Sequence, residues 1–206
     1  MNDIAASLSG YDNDRYMVAS CEKRLYADVP EDVFCSCCGW KKRWDYTRAS
    51  FTLGKKKQDV SSTYDHATIV SSRFRDIALM LQEDPGIFAP LPAEPGFFHL
   101  IPSRIVGFDL KRRETRQSGF CHECGLFSQT AGATPVMLVD EVPSVGRIFR
   151  TDVLFASYNE RGPLIIVSGA FSAALKSAGL SGFHIDPIQH NQPAQTTPGS
   201  SAPLRV

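Results

Sequence analysis

Cys35-Ser36-Cys37-Cys38-Gly39 and Cys121-His122-Glu123-Cys124-Gly125 are two copies of one pattern, Cys-x-x-Cys-Gly, the first with an extra cysteine inside it. Two cysteines at i and i+3 on a tight turn can aim both sulfurs at one ion. The glycine that follows relieves the backbone and lets main-chain N–H groups face the thiolates. Two such loops supply four thiolates, the tetrahedral set that structural zinc prefers. Because 82 residues separate Cys38 from Cys121, a joint site has to be assembled by the fold. The spacing nominates Cys35, Cys38, Cys121 and Cys124 as ligands of one structural Zn2+, a discontinuous four-cysteine zinc ribbon. Two disulfides, an iron–sulfur cluster or unligated thiols would use the same residues, and the gap exceeds that of an ordinary zinc ribbon.

The chain has 206 residues, enough for one sizeable core. Its 22 basic and 22 acidic residues cancel, whereas a nucleic-acid binder usually carries an excess of lysine and arginine. Basic runs do occur at Lys41-Lys42-Arg43, Lys55-Lys56-Lys57 and Lys111-Arg112-Arg113; they read as solvated strand ends or loops. The N-terminal residues show no basic start followed by an apolar run, and no apolar stretch is long enough to span a bilayer. The expectation is therefore a cytoplasmic protein with no membrane partner. In that compartment thiols stay reduced, which favours metal over disulfides.

Polar residues and Gly10, Asp12, Asn13 and Asp14 make 1–14 a flexible leader, ahead of a single α+β domain over 15–188 and a disordered tail over 189–206. Tyr16-Met17-Val18-Ala19 is expected as a first strand, and Cys21 as a small buried apolar residue. The alternation of Trp40 to Tyr46 suggests a strand leaving the first cysteine loop, with Trp40 and Trp44 packing beside the site. Residues 51–62 look like a strand and a lysine-rich turn. Ile69-Val70 closes a strand, Ser71 can cap a helix, and Phe74, Ile77, Ala78 and Leu81 form one helical stripe that Asp84-Pro85-Gly86 stops.

The same unit recurs 97 residues later. Pro163-Leu164-Ile165-Ile166-Val167 is the strand, Ser168 the cap, and Phe171, Ala174, Leu175 and Ala178 the stripe, with Gly179 ending the helix. An internal duplication and a coincidence of two capped helices both account for this match. Further strands are expected over 97–101, 104–110, 136–139, 147–149 and 183–187, some of them carrying the cysteine loops on their ends. The fold class is thus α+β: a strand-rich body with two short capped helices and the zinc ribbon.

The two Cys-x-x-Cys-Gly loops across a long strand-rich segment, with the run from Thr151-Asp152-Val153 through Ile165-Ile166-Val167-Ser168 to Leu180-Ser181-Gly182-Phe183, resemble the double-CxxCG-motif family of small bacterial proteins. Members of that family look like immunity proteins paired with polymorphic toxins. The resemblance runs from the first loop to about Ile188. It implies a cognate protein toxin as partner, the four cysteines as zinc ligands, and no catalytic residue. One departure is Ser36-Cys37 in the first loop, where a proline and a polar residue are more usual; Cys37 could compete with Cys35 or Cys38 for the ion.

Three functions are compatible with these features. An immunity protein binds a toxin and uses zinc only structurally; Asp140, Glu141, Asp152 and Glu160 are then candidate contacts to a basic partner. A zinc-ribbon nucleic-acid module would use the basic runs with Trp40 and Trp44, against the neutral charge. A zinc-dependent hydrolase or deaminase needs an open coordination place and a nearby acid or base. His122 and Glu123 superficially offer these, but they are the spacers of a cysteine loop, and His66, His99 and His184 are isolated. The chain also lacks a serine nucleophile elbow, a phosphate-cradling glycine loop and a metalloprotease helix motif.

Overall fold

A strand that is apolar at every position needs cover on both faces, whereas alternation marks a strand with one wet face. Both kinds occur in the computed structural model, which describes residues 4–11, 29–54, 57–63, 65–143 and 147–188. Its elements are β1 (Ala6–Gly10), β2 (Val60–Ser62), β3 (Thr68–Ser71), α1 (Ser72–Met80), β4 (Phe88–Pro90), β5 (Phe97–Leu100) and β6 (Ile105–Val106). They continue as α2 (Leu110–Arg113), β7 (Arg116–Phe120), β8 (Phe127–Ala131), β9 (Ile148–Ser157), β10 (Gly162–Val167), α3 (Gly169–Ser177) and β11 (Phe183–Pro187). This is the expected α+β architecture.

The larger sheet runs β11-β1-β10-β9-β8-β7, with β6 added parallel to β9; the smaller runs β2-β3-β5-β4. The unbroken apolar run of β10 is explained by cover on both sides. Ile165 and Val167 enter the core that also holds Leu8, Val60, Val70, Phe74, Phe171 and Leu175. Ile166 enters a second core with Val106, Phe108, Leu138 and Phe155. The sheets meet at Gly10, where Tyr11 bridges Ser61. A Cβ on Gly10 would sit 2.4 Å from the Ser61 carbonyl carbon, so only glycine lets the two backbones touch.

Both repeated units form as read. β3 and β10 are each the second strand of an antiparallel pair, and each runs straight into a helix capped by its serine. The Oγ of Ser71 accepts the Phe74 N–H, and that of Ser168 accepts the Phe171 N–H, both at 3.3 Å. Gly179 takes a left-handed φ of 61° past the end of α3. The first helix ends earlier than Asp84: it stops at Met80, and Gln82 turns the chain with a φ of 62°. Ser168 also accepts the Arg147 N–H at 3.1 Å. Ser168→Ala is therefore expected to cost about 1–2 kcal/mol, read as a shifted urea midpoint.

Several expectations need correction. The flexible leader is wrong where 1–14 is described: Ala6–Gly10 is an inner strand, its Ala6 and Leu8 buried between β10 and β11. The short alternation Ala-Ser-Leu-Ser was masked by the polar residues around it. Trp40–Tyr46 is not a strand; Lys41 makes a lone bridge to Phe34. Residues 104–110 form only β6 before turning into α2. Val136–Val139 is likewise no strand, because Leu138 bridges Phe108 in isolation. Among the described residues of 51–62, only β2 is strand. Tyr16–Ala19, Cys21 and the 189–206 tail lie outside the described residues.

Candidate metal centre

The two cysteine loops have the same backbone. In the first, the Cys35 N–H donates to the Trp40 carbonyl and the Gly39 N–H to the Cys35 carbonyl, each at 2.9 Å. In the second, Cys121 donates to Leu126 and Gly125 to Cys121, again at 2.9 Å. Gly39 and Gly125 have φ of 73° and 71° with nothing near the place of a Cβ. Glycine is needed here for its left-handed backbone, not for space. Each loop is closed by a paired residue before and after it, Phe34 with Lys41 and Phe120 with Phe127. The second loop is the tip of the β7–β8 hairpin, whereas the first stands on a short 3-10 turn over Glu31–Val33.

The fold brings all four nominated cysteines together. Cys35 and Cys121 Sγ are 3.8 Å apart, Cys38 and Cys124 Sγ 3.9 Å, and the four sulfurs lie within 4.8 Å of one another. None is in a disulfide. Such a group can hold a metal ion, with sulfurs from both halves of the chain. Cys37 is exposed and outside the group. The spacers face each other: Ser36 Oγ donates to Glu123 Oε1 at 2.5 Å. His122 packs edge-on to Phe120. His99 is fully buried beside Thr47, and no histidine among the described residues joins the cysteine group.

The thiols differ in acidity. The backbone N–H of Cys124 holds the Cys121 thiol down to about 6, while burial pushes Cys124 up to about 12 and raises Cys38 as well. An arriving cation has to displace protons from the raised thiols, since only thiolates ligate. Proton competition therefore grows as pH falls. Apparent metal affinity is expected to drop from about pH 8 to about pH 6, as measured by chelator competition.

Sequence reasoning missed the third part of the site. The turn between β9 and β10 reaches both loops: Tyr158 packs on Trp40 with centroids 4.4 Å apart, and Asn159 Oδ1 accepts the Lys41 N–H at 2.8 Å. Arg161 is buried there and hydrogen-bonds the carbonyls of Lys41 and Phe127. A lone arginine after Asn-Glu gives no local signal of this. Lys41, read as part of a solvated basic run, is buried; its ammonium donates to the Asp65 carbonyl at 3.1 Å, and burial pulls it down to about 8. Trp44 lies under Arg150 and edge-on to His99. No family model and no curated protein matches this chain. Among the described residues no helix is long and apolar enough to cross a membrane.

Proposed function

We propose that the chain is a cytoplasmic immunity protein that binds and neutralises a cognate bacterial toxin, with Zn2+ as a structural staple. The observation that carries the reading is the closed four-cysteine cluster. At Zn–S distances of about 2.3 Å a tetrahedron has edges of about 3.8 Å, close to the 3.8 and 3.9 Å found between the loops. With four thiolates on the ion there is no place left for water or substrate, so the centre serves architecture and not catalysis. His122 and Glu123 support this: both sit between ligands on the outer side, and Glu123 is engaged by Ser36. The burial of Lys41 removes one residue from the basic surface that a nucleic-acid module would need.

Among the candidate toxin contacts, Asp140, Glu141 and Asp152 are exposed and Glu160 is half-buried; Asp152 also accepts the Phe108 N–H at 2.9 Å, which ties it to the fold. Asp140 and Glu141 are thus the better candidates. The test is co-expression with the product of the neighbouring reading frame. Rescue of growth together with co-purification of the two proteins is expected. Continued toxicity with no complex formed rules the immunity reading out, whatever the metal content.

A further inference from the structure

We infer that Arg161 is the residue that sets the two cysteine loops opposite each other before metal arrives. The inference rests on the metal reading above. Arg161 is 1% exposed, and its planar fork points three ways. Nε donates to the Tyr158 carbonyl at 2.8 Å, Nη2 to the Lys41 carbonyl at 2.5 Å, and Nη1 to the Phe127 carbonyl.

Lys41 and Phe127 are equivalent positions. Each lies six residues after the first cysteine of its loop and pairs with the residue just before that cysteine. One guanidinium therefore grips the same atom of both loops, and its fixed angle sets their relation. Asn159 and Tyr158 add a second grip on the first loop, through Lys41 and Trp40, and the Tyr158 hydroxyl accepts from Gln129 on the arm of the second.

The electrostatics agree with this placement. All three acceptors are neutral carbonyls, and a buried arginine charge is costly unless negative charge lies near. Burial weakens the charged form of Arg161, while negative charge on the cysteine group, once its thiols are deprotonated, favours it. Residues that orient ligands from behind commonly change metal affinity by about 10–100-fold when removed.

The test measures Zn2+ affinity by chelator competition, and Co2+ charge-transfer spectra, for the full chain and for Arg161→Gln and Arg161→Lys. Arg161→Gln is expected to bind about 10–100-fold more weakly. Arg161→Lys, which keeps the charge without the fork, should regain part of the loss. In the metal-stripped unsubstituted chain, the Arg161 Nε–H is expected to be protected from hydrogen exchange. That measurement keeps the inference testable where Arg161→Gln does not fold. Unchanged affinity in a folded Arg161→Gln, or an Arg161 Nε–H exchanging as fast as an exposed arginine in the stripped protein, overturns it. Failure of the unsubstituted chain to bind Zn2+ or Co2+ instead sinks the metal reading, a separate result.

Discussion

Cys121→Ser is expected to abolish metal binding at the cysteine group and to loosen both cysteine loops together. Cys121 is the position to choose because the second loop has no spare thiol, whereas Cys37 sits beside Cys35 and Cys38 and could stand in for either. A serine hydroxyl does not ionise in the working range and is a poor ligand for a cation held by thiolates. In small zinc modules metal binding is coupled to folding by on the order of 10 kcal/mol. Here the two large cores do not include the four cysteines, so the body keeps its own stability and the loss is concentrated at one end. Hydrogen exchange should become fast at Gly39, Gly125 and along β7–β8 while α1 and α3 stay protected. Metal content by mass spectrometry should fall from one ion per chain to none, and Cys37→Ser, at an exposed position outside the cluster, should retain it. A Cys121→Ser protein with its full metal content and protected loops would show that the cluster is not a binding site.

The second large effect belongs to the body. Phe171→Ala is expected to destabilise the fold by about 3–5 kcal/mol in urea unfolding, a large share of the roughly 5–15 kcal/mol typical of a domain. Phe171 and Phe74 are both fully buried, their ring centroids 5.6 Å apart at 54°. They are matching residues of the two strand-and-helix units, and they meet in the core that joins the two sheets. The double replacement with Phe74→Ala should cost less than the two single losses added, because neighbouring cavities merge and share their relaxation. Strict additivity would mean that the two units do not lean on each other through this pair.

Residues acting over one or two turns declared themselves in the chain. Ser71 and Ser168 as caps, the Phe74 and Phe171 stripes, Gly179 as a helix end and the two Cys-x-x-Cys-Gly turns all formed as their spacing required. In each case the deciding interaction lies between residues a few positions apart, so local order is enough to specify it. Short strands were harder. Ala6–Gly10 has too few residues for its alternation to stand out, and it is a strand because β10 and β11 pair on either side of it. Val136–Val139 has strand composition and no ladder to join, apart from the bridge at Leu138.

The sequence alone therefore determined the α+β class, the capped helices and the identity of the four sulfurs. Tertiary structure alone decided that those sulfurs converge, that Gly10 is where two sheets touch, and that Arg161 reaches the same carbonyl of both loops. The physical reason is range. A cap or a knuckle turn is settled by neighbours in the chain, while apposition across 82 residues depends on which surfaces the whole fold buries.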